Sequence, residues 1–399
     1  MSNSSYPGDY IQEIEPGARA IKAANTSETG FVDFFPRGPV NEAVRVTSIT
    51  VFNEIFGGLD SRSEASYGIM QYFQNGGEVA WVVRVLASGD TRSATWIQSE
   101  GVSALLGAGN HAGGIYALGT IPFNLLCIPC AANLSNDSVK TFYTAAAEFC
   151  SEQRSFLIVD IPRDQRVPGP DGIQKWIASL GLVEKNAAVY FPRVLISDPL
   201  NKDQLRDTAS SGSVAGVFAR MEASRGVWKA PSGAAAALEG VVSLTTNISD
   251  AEDGVLTSLG INALRNFPAG RNVVWGARTL EGVDKLASQW KYIPIRRMAL
   301  FLERSITDGV KWATFEPNGP PLWAQLRCSV DAFLFALFRQ GAFQGATAKD
   351  AYFVQCNQET TTQNDINRGI VNILVGFAPL KPAEFVLLNI SQLAGQISA

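Results

Sequence analysis

The chain has 399 residues, of which 46% are hydrophobic and 18% charged, with a net charge of −4. That length buries a sizeable core and predicts two domains, and the slight acidity argues against broad nucleic-acid binding. Five cysteines, an odd number, fit reduced thiols better than a disulfide framework. Residues 1–17 carry no basic-then-apolar leader and no apolar run is long enough to span a bilayer, so the expectation is a chain made and folded in the cytoplasm, without membrane insertion.

Pro7-Gly8 and Pro16-Gly17 bracket one strand, Asp9–Ile14, whose apolar side chains are Tyr10, Ile11 and Ile14. The next apolar run begins at Phe31, so no local hairpin partner exists. The strand is an edge of its own domain, a frayed end, or an arm added to another subunit's sheet. Further on, Thr47-Ser48 caps a helix through Phe52, Ile55 and Phe56, which Gly57-Gly58 stops. A second helix over Tyr67–Phe73 leads through Asn75-Gly76-Gly77 into a strand, Ala80–Val85. Residues 88–120 are small and polar, a variable insertion. Strands over Asn124–Ile128, Phe156–Ile161 and Ala187–Ile196 alternate with helices over Phe142–Phe149 and Trp176–Leu182. This alternation predicts a mostly parallel sheet covered on both faces. Ser210–Ala219 reads as a small-residue loop.

From Arg296 the spacing of Met298, Phe301, Leu302, Ile306 and Val310 predicts a helix. Lys311–Phe315 reads as a short strand, ended by the breakers Glu316–Pro321. A longer helix follows, with Leu322, Leu326, Val330, Phe333, Leu334, Leu337 and Phe338 on one stripe and Arg327 and Asp331 off it. Two strands, Tyr352–Cys356 and Ile370–Phe377, precede a last one over 384–390, in which Phe385, Val386, Leu388 and Ile390 make both faces apolar. Such a strand needs partners for its edge and its faces. The fold class is therefore α/β joined to α+β, with strands at both ends that find no local partner.

The catalytic inventory is thin. The only histidine, His111, lies in the glycine-rich stretch Gly107–Gly114, and no Gly-X-Ser-X-Gly elbow exists. That stretch reads Gly-X-Gly-X-X-Ala, but no acid stands at the ribose-binding spacing. Cys127-Ile128-Pro129-Cys130 is a lone Cys-X-X-Cys, without the second pair that zinc requires. Asp160 ends a strand where α/β sites gather, yet has no partner acid. No catalytic, metal or cofactor-binding residue is assigned. An α/β enzyme or redox protein using Cys127, Cys130 or Asp160 is the alternative reading, with buried structural thiols and a helix- or loop-capping acid as the plainer one.

Several stretches carry a family likeness. Val274–Thr279 (Val-Trp-Gly-Ala-Arg-Thr), Tyr292–Arg297, Phe315–Asn318 before Leu322-Trp323, Phe338–Ala342, Gly345–Thr347 and Pro382–Phe385 follow one another in order. Pro7–Ile14, Gly38–Glu42, Phe56–Leu59, Phe73–Gly77, Val82–Val85 and Gly226–Pro231 do the same upstream. The chain resembles contractile tail sheath proteins over residues 6–86 and 121–390. The resemblance implies a structural subunit that polymerises as stacked six-fold rings around an inner tube protein, bounded by baseplate and terminal cap proteins. It implies an N-terminal linker arm (1–20), an outer α/β domain (21–270, with the 88–120 insertion) and an inner, tube-facing α+β domain (271–399). The arm strand and strand 384–390 would join neighbouring subunits. On the long helix, Arg327, Asp331 and Arg339 are candidate tube contacts, or else solvated helix charges.

Overall fold

The computed structural model describes residues 19–86, 101–107, 112–267 and 270–384. In chain order the elements are β1 (Thr29–Asp33), β2 (Ala43–Val46), α1 (Ile49–Phe56), α2 (Glu64–Gln74), β3 (Ala80–Arg84), α3 (Gly101–Leu105), β4 (Leu125–Cys127), α4 (Asn136–Glu152), β5 (Phe156–Val159) and α5 (Ile173–Leu180). They continue with β6 (Ala187–Phe191), β7 (Val194–Asp198), β8 (Gln204–Thr208), α6 (Ser211–Arg225), β9 (Val241–Leu244), α7 (Asp250–Ser258), β10 (Ile261–Asn266), β11 (Asn272–Val274) and α8 (Ile293–Gly309). The last are α9 (Pro320–Arg339), α10 (Ala348–Ala351), β12 (Tyr352–Gln355), α11 (Gln363–Asn367) and β13 (Leu374–Phe377).

Two compact units result: a large one of residues 25–301 and 380–384, and a small one of residues 19–24 and 302–379. The large unit is built on an eight-stranded sheet in the order β11-β10-β6-β5-β4-β1-β3-β2. Its six central strands pair in parallel, and only β2 and β11 at the edges run antiparallel. Successive side chains of a strand face opposite ways, so a sheet buried on both sides needs apolar residues at every position. Leu157, Val159, Ala187 and Val189 accordingly join the core beneath α4 and α5, and Phe156, Ile158, Ala188 and Tyr190 the core beneath α1, α2 and α6. The mixed α/β architecture with a mostly parallel sheet is the one that the alternating strands predict.

Local signals hold where they are strong. Ser48 caps α1 by accepting from the Val51 N–H, and Gly57 ends it at φ 96°, a left-handed conformation that glycine adopts without strain. Three local readings are corrected. Ser210–Ala219 is not a loop but opens α6, whose small residues let it approach α2 closely: a Cβ on Gly212 would stand 2.1 Å from the Gly68 carbonyl oxygen. Ala187–Ile196 is two strands, because Pro192-Arg193 separates β6 from β7, and β7 leaves for a second sheet ordered β8-β7-β9. Lys311–Phe315 is no strand, since Lys311–Ala313 forms a 3-10 turn after α8.

Candidate assembly site

The residues that suggested chemistry are buried structural parts. Cys127 and Cys130 are fully or almost fully buried, and their thiols lie 3.6 Å from the Ser211 carbonyl and 3.7 Å from the Val32 carbonyl. Burial pushes both thiols well above their ordinary range, and neighbouring Asp160 and Asp33 add to the effect. A thiol held neutral is neither a nucleophile nor a ready redox group, so the alternative enzyme reading finds no support here. Asp160 accepts from the Ser211 N–H at 3.0 Å, the plainer capping role. Among the described residues no group of three or more His, Cys, Asp or Glu is placed to hold a metal ion. His111 lies outside them.

A buried charge cluster went unforeseen. Arg193, 1% exposed, donates to both oxygens of Glu64 at 3.1 and 3.0 Å and to Asp207 at 2.6 Å. It ties α2 to the β7–β8 sheet, with every partner satisfied, as a buried charge requires. Only the charge pattern of three distant residues could have hinted at it.

The small unit presents a different kind of surface. Here α9 buries Leu322, Trp323, Leu326, Val330, Phe333, Leu334 and Leu337 and leaves Arg327, Asp331 and Arg339 exposed. The Arg327 guanidinium donates to the Cys356 carbonyl at 3.4 Å, and the Tyr352 hydroxyl to the Asp331 carbonyl at 3.4 Å. Against α9 lies a two-stranded antiparallel sheet, β12 with β13. Each strand has a single strand neighbour among the described residues, so two edges stand open. The strands also carry exposed apolar side chains, Phe353 and Leu374, each about half exposed. A two-stranded sheet with bare edges is marginal alone and is a template for added strands.

The strand residues expected to do the adding, Tyr10, Ile11, Ile14, Phe385, Val386, Leu388 and Ile390, lie outside the described residues. The residues next to them are held firmly. The Arg19 N–H donates to the Ser329 hydroxyl on α9 at 3.0 Å, and its guanidinium sits 4.2 Å from the Trp312 ring centre. At the other end, Glu384 takes two parallel hydrogen bonds from Arg278, at 2.7 and 2.8 Å, and a third from the Tyr292 hydroxyl at 3.0 Å. Arg278 and Glu384 stand in two of the family-like stretches, but nothing in their spacing says that they meet.

Among the described residues, then, the Cys127 and Cys130 thiols are buried, the two segment roots are held, and two strand edges lack a strand partner. Comparison with known proteins supplies the family. The model of the phage tail sheath protein central domain matches residues 105–280, and that of the phage tail sheath C-terminal domain matches residues 287–392. The sheath of the extracellular contractile injection system PVC, solved in its contracted state, is 28% identical with a TM-score of 0.75, covering 98% of this chain and 99% of that one. The contracted helical sheath of the anti-feeding prophage AFP is also 28% identical, with a TM-score of 0.72 and the same coverage. The tail sheath protein of Vibrio phage KVP40 is 24% identical over 188 residues, which make up 47% of this chain but only 27% of that protein. The chain belongs to the phage tail sheath family, a family of structural subunits and not of enzymes.

Proposed function

We propose that this chain is the sheath subunit of a contractile injection machine, a phage tail or tail-like particle. It polymerises into a helical stack of six-fold rings around an inner tube protein. Contraction of that stack drives the tube through a target envelope. The observation that carries this reading is the open β12–β13 sheet in a unit that also holds the root of the N-terminal segment. A strand arm passed to a neighbour's different edge makes a heterologous contact, and such contacts build helical filaments when they do not close. The arm strands are Tyr10–Ile14 and 384–390, and the open edges of β12 and β13 are their receptors. They act as links that persist while the domains move, and the extended sheath is a trapped state that contraction relaxes.

The inner domain faces the tube, with Arg327, Asp331 and Arg339 on the exposed side of α9 as the polar contacts, and the α/β body faces outward. Baseplate and terminal cap proteins bound the stack, and synthesis and assembly take place in the cytoplasm. The likeness to two sheaths solved in the contracted state supports the contractile part of the reading. Electron microscopy of the chain with its tube protein and baseplate tests it. Striated hollow tubes of two diameters, one extended and one contracted, are the expected result. Persistent small globules with every component present would sink the proposal.

A further inference from the structure

Arg278 makes several bonds at once in the large unit. Besides its two bonds to Glu384, it donates to the Thr257 carbonyl at 2.8 Å, the Gly282 carbonyl at 3.3 Å and Asp284 at 2.9 Å. It is 3% exposed with Glu384 in place, and the bonds to Thr257, Gly282 and Asp284 hold its planar fork independently of Glu384. Lys291 stands 2.7 Å from Asp284 and 4.0 Å from Glu384, and completes a cluster in which two cations are shared by these two carboxylates. Glu384 closes the short run, 380–384, that belongs to the large unit although residues 302–379 before it belong to the small one. The run has no regular secondary structure, so this cluster supplies its described side-chain hold.

The N-terminal segment is held otherwise. Arg19 and Ala24 donate their N–H groups to Ser329 and Ser305, at 3.0 Å each, and Ile21 covers Gly309, all in the small unit.

We infer that Arg278, with Tyr292, is a positioning residue that roots the C-terminal segment on the large unit, while the N-terminal segment is rooted on the small one. In an assembled sheath the load passed through the two segments therefore enters two different units of the subunit. This load-bearing role rests on the reading of the chain as a sheath subunit. The rooting itself does not.

The test uses the full chain with Glu384→Ala, and Tyr292→Phe as a milder variant that keeps the core intact. Limited proteolysis of the monomer by proteinase K, with cut sites read by mass spectrometry, should show cleavage between residues 379 and 385 at least tenfold faster in Glu384→Ala. Tyr292→Phe should give a smaller rise, and cleavage within residues 19–25 should not change. Unchanged cleavage at 379–385, or acceleration at both ends together, would overturn the separate roots. With tube protein and baseplate, the urea concentration at which sheath tubes come apart should fall for Glu384→Ala. Equal resistance of variant and wild type would overturn the load-bearing role while leaving the root in place. Failure of the wild type to form tubes at all would instead sink the sheath reading, and the load-bearing role with it.

Discussion

The carboxylate of Asp160 accepts a hydrogen bond from the backbone N–H of Ser211 at 3.0 Å, so the acid at the end of β5 serves the first turn of α6. Its second oxygen finds no partner among the described residues. Burial dominates, and raises its pKa from 3.8 to about 6 against the bond from Ser211 and the charge of Arg193. Asp33, which accepts from the Ala65 and Phe34 N–H groups, is likewise raised to about 6 by burial. Both groups bind protons more tightly when folded. Their stabilising contribution is complete below the unfolded pKa near 4 and is lost as pH rises through about 6. Urea unfolding at pH 5 and pH 7.5 should show part of the loss, about 1.4 kcal/mol per group. Asp160→Asn should remove its share of that slope.

Glu384 carries the opposite sign. Burial works to raise its pKa, but the bonds from Arg278 and Tyr292 outweigh it and hold the carboxyl below its ordinary range. The seat on Arg278 is complete above the ordinary value of 4.5 and weakens as pH falls through the depressed one. Proteolysis between residues 379 and 385, followed with an acid-stable protease such as pepsin, should accelerate only on acidification below that value.

The approach of α6 to α2 leaves no space for an added methyl group. Gly212→Ala would set its Cβ against the Gly68 backbone, and Gly216→Ala would set one 2.5 Å from the Tyr72 carbonyl oxygen. Neither neighbour is a flexible side-chain tip. Each variant should lose about 2 kcal/mol or more in denaturant unfolding, with no change of secondary structure in circular dichroism. Retained stability would mean that the helices are not in close contact.

Four of the five cysteines are buried and Cys328 is exposed. Ellman's reagent should titrate one thiol in the native chain and all five after unfolding. Cys130→Ser should leave assembly intact. Fast native reaction at Cys127 or Cys130 would reopen the redox reading.

Deleting residues 1–17 should give a monomer with native unfolding behaviour that forms no tubes with tube protein and baseplate. Tubes of normal striation from that variant would remove the arm from the mechanism.

What the sequence determined by itself lies in local pattern. Strands alternating with helices predicted a mostly parallel sheet with two covered faces, and Ser48 and Gly57 set the ends of α1. These features follow from the period of the chain and the conformational limits of single residues. The family-like stretches pointed to a sheath subunit. Tertiary structure alone decided the rest. Ser210–Ala219 looks like a loop because small residues carry no amphipathic signal, yet closeness to α2 is what makes them helical. Lys311–Phe315 has the residues of a strand, but the chain leaving α8 turns there as a 3-10 helix and gives them no strand to pair with. Arg193 meets Glu64 across 129 positions, and Arg278 meets Glu384 across 106. An ion pair needs only proximity, which side-chain period does not encode at such separations, so the fold had to bring these partners together.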